Sequence, residues 1–201
     1  MYYTVAKFFL SFFDSQNKKK IRDYFLNENK GNIQIFIDVG AHQGESIRFF
    51  KKNFSVSKIY AFEPSIENFK ILKKNIKNFN NIEIFNIALG DKKGYVDFHN
   101  HYDSESSTVV KINRRSNYFK KKNLYLDFFN LKKKNSKNTR VEIDTLNNLI
   151  NIEKLELIDL VKIDTEGYDF HVIKGLGKLI NKVRFIYFEH HFHDMLLKDY
   201  K

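Results

Sequence analysis

The sequence contains no cysteine, so disulfide bonds, thiolate zinc sites and cysteine nucleophiles are all excluded. It also lacks any run of about 18 apolar residues, which is the length that a membrane-spanning helix needs. Apolar side chains are nevertheless plentiful, because 42% of the 201 residues are hydrophobic and 21 of them are phenylalanine. The composition therefore predicts a single folded domain with a sizeable core.

The amino-terminal stretch, residues 1–13, is apolar but has neither a basic leader nor a small-residue cleavage site. We interpret residues 1–32 as a helical segment that packs on the domain; an amphipathic helix on a membrane surface is the alternative. The absence of cysteine fits a reducing compartment, so we expect a cytoplasmic protein.

The net charge of +11 is concentrated in one part of the chain. Residues 111–140 contain eleven Lys or Arg residues and a single acid, Asp127, whereas the remainder is nearly neutral. Two interpretations stay open: a solvated basic loop, and a surface that attracts an anionic partner. We do not expect a nucleic-acid partner, because no RNA-binding module is recognisable.

Short apolar runs alternate with helical periods along the chain, a pattern typical of a parallel sheet covered by helices. The predicted strands cover residues 33–38, 58–63, 82–86, 95–99, 141–143, 157–164 and 183–189. Residues 101–140 interrupt the pattern as a polar, basic insertion with one helix. We therefore predict one α/β domain over residues 33–201.

Polar residues stand where four of the predicted strands end: Asp38 with Gly40, Glu63, Asp164 and Glu189. In open α/β sheets, ligands bind at the edge formed by the carboxyl ends of the strands. The sequence therefore predicts a binding site at this edge.

The loop from Asp38 to Gly44 leads from a strand through a glycine turn into a helix. Gly40 permits a sharp turn beside a ligand, and Gly44 permits close packing of the helix start. Glu63, at the end of the next strand, is placed to accept both hydroxyls of a ribose, which predicts a nucleoside cofactor. A dinucleotide loop reads G-x-G-x-x-G, whereas His42 occupies the middle position here. The loop instead resembles motif I of class I S-adenosylmethionine-dependent methyltransferases, which makes NAD the weaker alternative.

Four strings in order make the resemblance more specific: IDVGAHQGES at 37–46, AFEPSIENF at 61–69, NIALGD at 86–91 and VKIDTEGYD at 161–169. In these strings the chain resembles the FkbM family of methyltransferases. The resemblance implies a Rossmann-like class I methyltransferase sheet, mostly parallel, with helices on both faces. It also implies an O-methyltransferase that uses S-adenosylmethionine and methylates a hydroxyl of a sugar, a glycan or a small molecule.

The resemblance assigns cofactor-binding roles to eight residues at the sheet edge: Asp38, Gly40, Gly44, Glu63, Pro64, Ser65, Asn86 and Ala88. Asp38, Gly40 and Gly44 would shape the methionine end of the pocket, and Glu63 would hold the ribose. Pro64 and Ser65 would flank the adenine, and Asn86 and Ala88 would lie at its edge. For Asn86, an equal alternative is a turn cap.

Methylation of an alcohol requires a base within hydrogen-bond reach of the acceptor. The resemblance places Asp164 and Glu166 near the transferred methyl group, and either of them is our first candidate for the base. The alternative is that one of them caps the following helix and the other orients a loop. His190, in the EHHFHD string at 189–194, is a further candidate. We expect no metal site in that string, because adjacent histidines on a strand point to opposite faces.

Two departures from the family concern the insertion and the carboxyl terminus. A class I methyltransferase sheet normally continues into a final hairpin, but this sequence stops twelve residues after Glu189. We therefore expect the hairpin to be missing and the open edge to be available to a second copy of the chain. The insertion is expected to steer an anionic acceptor. An RNA methyltransferase and a non-catalytic cofactor-binding domain remain as alternatives.

Overall fold

The computed structural model of the protein describes residues 16, 18–28, 31–99, 107–128, 138–149, 156–188 and 194–197. The strands are β1 (Asn32–Val39), β2 (Ser55–Phe62), β3 (Ile82–Phe85), β4 (Ala88–Leu89), β5 (Gly94–Phe98), β6 (Thr139–Asp144), β7 (Ile158–Ile163) and β8 (Val183–Phe188). The helices are α1 (18–28), α2 (Glu45–Asn53), α3 (Ile66–Asn75), α4 (Asn117–Phe128), α5 (Leu146–Leu149) and α6 (Asp169–Gly175), followed by a 3₁₀ helix, Gly177–Lys182. Among the described helices, none has the length and apolarity needed to cross a membrane.

Five strands form one all-parallel sheet in the order β3-β2-β1-β7-β8. Val39 of the central strand pairs with Phe62 on one side and with Ile163 on the other. This register brings the carboxyl ends of β1, β2 and β7 to the same edge. The predicted parallel sheet is confirmed, and each of its strands lies within a few residues of the predicted position.

Helices cover both faces of this sheet, as predicted. On one face Phe36 packs with Phe50 of α2 and Leu72 of α3. On the other face Val161 packs with Val172 of α6 and with the 3₁₀ helix. All five side chains are buried, and full burial of an apolar side chain of this size contributes about 1.5 to 3 kcal/mol.

A second, smaller sheet has the order β4-β6-β5. The strands β4 and β6 run parallel, whereas β5 and β6 are antiparallel. Two of these strands lie at predicted positions, but β4 was not predicted, and neither was the separation of the three from the main sheet. A strand of two residues carries no period, and sheet membership depends on pairing between distant segments.

The start of the basic insertion packs beside the main sheet and against residues 194–197. Asn113 donates its backbone N–H to the carbonyl of Met195 (2.7 Å), and Leu197 donates to Lys111 (2.9 Å). Val110, Met195 and Leu196 form a small buried cluster there. The single helix predicted in the insertion is α4. In the part of the chain that the structure describes, no strand pairs with the outer edge of β8.

Candidate functional site

A cavity of about 730 Å³ lies at the carboxyl ends of the parallel strands. Three loops contribute to its wall: 40–42 after β1, 63–64 after β2 and 164–166 after β7. Ala88 of β4 and Lys18 of α1 close two further sides. The volume lies in the range of about 300 to 1,000 Å³ that is typical of small-molecule sites.

The first loop turns at Gly40, which has a φ of +76°. A Cβ atom at this position would lie 2.0 Å from the carbonyl oxygen of Asp164. The N–H groups of Gly40 and Ala41 both donate to the carbonyl of Phe62 at 3.0 Å. Gly40 therefore allows three strand ends to meet, in addition to leaving the cavity wall free of a side chain.

Gly44 adopts a φ of +88° and is the N-cap of α2. A Cβ atom there would lie 3.0 Å from Cδ1 of Leu72 in α3. Gly44 thus lets the start of α2 pack against the neighbouring helix, and it lies behind the cavity wall.

Glu63 is a buried carboxylate at the cavity wall, with 4% of its surface exposed. Its Oε2 accepts a hydrogen bond from the backbone N–H of His42 (2.8 Å), and its Oε1 accepts one from Ser65 (2.8 Å). Burial raises the pKa of Glu63 to about 7, although these N–H groups oppose the rise. The side-chain amide of Asn68 is a further hydrogen-bond partner. A carboxylate can accept about four hydrogen bonds, so Glu63 retains capacity for a hydroxyl donor.

The other residues assigned to the adenine end divide between the cavity wall and its support. Pro64 and Ala88 line the cavity. The Oγ of Ser65 accepts from the N–H of Asn68 (3.3 Å) and caps α3. Asn86 donates its side-chain N–H groups to the carbonyls of Glu63 (2.8 Å) and Pro64 (3.1 Å). Asn86 therefore holds the loop that carries Glu63, which is the geometry of the turn-cap alternative.

The loop after β7 carries Asp164 and Glu166, and both line the cavity. Glu166 has a φ of +52°, which costs a non-glycine residue roughly 1 to 2 kcal/mol. The buried carboxylate of Asp169 compensates for this strain. It accepts hydrogen bonds from the N–H of Thr165 (3.1 Å), from the Thr165 hydroxyl (3.0 Å) and from the N–H of Gly167 (3.2 Å).

Thr108, in the basic insertion, supports the same loop from the opposite side. Its buried hydroxyl donates to the carbonyls of Glu166 (2.8 Å) and Thr165 (3.2 Å) and accepts from the N–H of Val110 (3.0 Å). Sequence reasoning missed this residue, because the insertion has no pattern that links it to a strand end 57 residues away.

Replacing Thr108 by valine should destabilise the protein by about 1 to 3 kcal/mol, because it leaves buried backbone groups without a partner. We expect a lower melting temperature and faster hydrogen exchange of the amides at 165–167. Thr108→Ser keeps the hydroxyl and is the matched control. A destabilised Thr108→Ser beside an unchanged Thr108→Val would show that the methyl group, and not the hydroxyl, matters.

Lys162 is a second residue that sequence reasoning missed. Lys162 lines the cavity, and its ammonium nitrogen lies between Oδ1 of Asp38 (3.4 Å) and Oδ2 of Asp164 (3.2 Å). Burial disfavours the charged ammonium, but the two carboxylates outweigh it and raise the pKa of Lys162. The available signal was a lysine that interrupts an otherwise apolar strand end.

Asp38 itself is fully buried behind the cavity wall. Within the described part of the chain, neither of its oxygens accepts a hydrogen bond, and the ammonium of Lys162 is its close charged neighbour. Burial raises the pKa of Asp38, and Lys162 opposes that rise.

Glu189 and the candidate base His190 lie outside the described residues. Among the residues that are described, no three His, Asp or Glu side chains are grouped so that they could hold a metal ion.

A five-stranded parallel sheet with helices on both faces and a glycine turn at the carboxyl end of its central strand defines a Rossmann-like α/β fold. Within this class, a sequence model described as the methyltransferase FkbM domain matches residues 38–199. The chain belongs to the FkbM methyltransferase family, and the family resemblance of the sequence strings is confirmed.

Two individual proteins that match the chain share 25% sequence identity or less with it. The chain is 25% identical over 164 residues to the 2-O-methyltransferase NoeI of Sinorhizobium fredii, and the alignment covers 78% of this chain. The chain spans 63% of the length of that curated relative. A crystal structure of an FkbM methyltransferase from Methylobacillus flagellatus matches with a TM-score of 0.45 and 15% identity, over 75% of this chain and 30% of that chain.

Proposed function

We propose that the protein is an S-adenosylmethionine-dependent O-methyltransferase that acts on a hydroxyl of a sugar, a glycan or a small molecule. The observation that carries the proposal is the carboxylate of Glu63, buried at the cavity wall and oriented by an N–H of the β1 loop. Membership of the FkbM family supports it.

The residues at the cavity fit such a methyl donor. A ribose offers two adjacent hydroxyl donors, and Glu63 retains capacity for a hydroxyl donor. Pro64 and Ala88 supply small apolar surface next to it, as a flat base requires. When bound, S-adenosylmethionine would supply a methyl group on a positively charged sulfur, open to attack by an acceptor oxygen.

Glu166 is our candidate for the general base. Both Asp164 and Glu166 line the cavity. One oxygen of Asp164 accepts a hydrogen bond from Lys162, which fixes that carboxylate and suits it to orienting the acceptor. In the proposed mechanism Glu166 takes the proton from the acceptor hydroxyl, and Asp164 orients the acceptor. Alignment of acceptor and donor in one cavity contributes as well, since effective molarities correspond to up to roughly 7 to 11 kcal/mol.

The name of the relative NoeI specifies a 2-O position, which supports a hydroxyl as the acceptor. The cavity wall also includes Tyr187 and Phe188, whose side chains are more than 40% exposed. Exposed aromatic rings beside carboxylates are suited to the apolar faces and the hydroxyl groups of a sugar.

The proposal is tested by calorimetric titration of the purified protein with S-adenosylmethionine, S-adenosylhomocysteine and NADH. Methyl transfer from labelled donor to panels of sugars, glycans and RNA then identifies the acceptor. We expect saturable binding of the first two ligands and labelled carbohydrate or small-molecule product. Binding of NADH alone would refute the proposal, labelled RNA would change the acceptor class, and binding without transfer to any fraction of a cell lysate would indicate a non-catalytic domain.

Glu166→Gln should lower kcat by about 10² to 10⁴-fold, the usual contribution of a general base. The affinity for S-adenosylhomocysteine should stay near that of the unaltered protein, because the assigned ribose ligand is Glu63. Initial rates at saturating acceptor and calorimetry measure the two quantities. Glu67→Gln, on the exposed side of α3, is the control. Unchanged turnover of Glu166→Gln would remove the base assignment.

A further inference from the structure

Lys162 joins two carboxylates at the carboxyl ends of neighbouring strands. Asp38 precedes the glycine turn at the end of β1, and Asp164 follows the last residue of β7. The ammonium nitrogen lies 3.4 Å from Oδ1 of Asp38 and 3.2 Å from Oδ2 of Asp164. The backbones meet at the same place, since the N–H of Asp164 donates to the carbonyl of Val39 (3.0 Å).

The two carboxylates differ sharply in exposure. The Asp38 side chain is 0% exposed, whereas the Asp164 side chain is 39% exposed and lines the cavity. A buried carboxylate without hydrogen bonds is unfavourable unless an opposite charge lies close to it. Lys162 compensates the charge of Asp38 inside the protein, and the exposed carboxylate of Asp164 leaves one net negative charge facing the cavity.

We propose that Lys162 is a positioning residue, which fixes the Asp164 carboxylate toward the cavity while it pairs with the buried Asp38. The inference rests on the proposed function, in which Asp164 orients the acceptor. A fixed carboxylate lowers the entropic cost of aligning the acceptor hydroxyl. A residue with a purely structural role would stabilise the fold but would leave turnover unchanged once stability is restored.

The first arm of the test measures stability without any ligand. In Lys162→Met, Asp38 loses its positive partner and is left beside the carboxylates of Asp164 in the β7 loop and Glu45 in α2. Protonation of Asp38 then favours the folded state, so the loss in melting temperature should be larger at pH 8 than at pH 5.5. Asp38→Asn/Lys162→Met should recover stability at pH 8. A double variant as unstable as the single one would contradict the pairing.

The second arm uses the stable double variant to separate positioning from packing. We expect kcat to be at least tenfold lower than in Asp38→Asn alone, which carries the same change behind the cavity wall, with the Kd values of the two variants for S-adenosylhomocysteine within threefold of each other. A crystal structure of the double variant should show the Asp164 side chain displaced. Turnover equal to that of Asp38→Asn would refute the positioning role and leave a structural ion pair.

Two controls complete the design. Lys58→Met removes an ion pair with Glu83 on the exposed surface between β2 and β3, and it should change neither kcat nor the pH dependence of stability. Lys162→Arg keeps a positive charge between the carboxylates and should retain more turnover than Lys162→Met. If the unaltered protein transfers no methyl group, the proposed function fails, whereas the stability arm and the position of Asp164 still test the pairing.

Discussion

Gly40→Ala is expected to lower the free energy of unfolding by about 2 to 5 kcal/mol and to weaken binding of S-adenosylhomocysteine. An alanine at a φ of +76° costs roughly 1 to 2 kcal/mol. Its Cβ would also lie 2.0 Å from the carbonyl oxygen of Asp164, and overpacking of this kind typically adds 1 to 3 kcal/mol. Backbone atoms cannot rotate away as a side chain can, so the β1 and β7 loops must separate.

Binding suffers because the same loop orients Glu63. The N–H of His42, two residues after Gly40, donates to Oε2 of Glu63. Movement of the loop removes that bond and displaces the ribose ligand, so we expect an affinity loss greater than tenfold.

Gly177→Ala is the matched control, because Gly177 also has a positive φ, +51°, but an added Cβ would meet only ordinary contacts at 3.6 Å or more. It should cost about 1 to 2 kcal/mol. For a chain of this size, each kcal/mol shifts the melting temperature by roughly 2 to 4 °C. Thermal unfolding of both variants separates the effect of φ from that of the close contact. Equal shifts would show that the contact with Asp164 is unimportant.

The main sheet and the position of the site could be predicted because their signals are local. A short apolar run that ends in a polar residue marks both a buried parallel strand and the edge where ligands bind, as at Asp38 and Glu63. A local signal also marks Ser65, because serine directly before a helical period is typical of a helix cap, and its side chain does accept from the N–H of Asn68.

The residues that hold the site in place could not be predicted, because their contacts depend on which distant segments of the chain become neighbours. Lys162 meets Asp38 only after β7 has inserted beside β1, more than 100 residues along the chain. Thr108 reaches the carbonyl of Glu166 from an insertion whose composition indicates either a solvated basic loop or a surface for an anionic partner, and neither predicts this contact. The sequence shows which side chains carry charge, whereas strand order decides which charges pair.

Three contacts hold the β1 and β7 loops together at one junction. The close approach at Gly40, the N–H of Asp164 and the ammonium of Lys162 all join the two loops. In the proposed function one loop contacts the donor and the other contacts the acceptor. Their relative position therefore determines alignment, and variants at the junction should affect turnover more than variants at the outer wall.

Glu63→Gln is expected to weaken binding of S-adenosylhomocysteine roughly 30- to 100-fold. Hydrogen bonds to a charged acceptor contribute about 1.5 to 3 kcal/mol each, against about 1 kcal/mol for neutral pairs, and 1.4 kcal/mol corresponds to a factor of ten. In addition, the amide group of glutamine would direct N–H groups toward the N–H of His42 or of Ser65, which now donate to the carboxylate. An analogue that lacks the 2′-hydroxyl should lose less affinity than the full ligand when Glu63 is replaced.

The same carboxylate should make binding depend on pH in the unaltered protein. Burial raises the pKa of Glu63 to about 7, so below that pH the free protein holds a proton on this group. Ribose hydroxyls bind the deprotonated form better, and binding must then release the proton. The affinity should therefore be constant above about pH 8 and fall as the pH drops through 7, by up to tenfold per unit. Calorimetry between pH 5.5 and pH 8.5 measures this profile. A flat profile, or one that persists in Glu63→Gln, would show that another group controls binding and that the ribose does not contact Glu63.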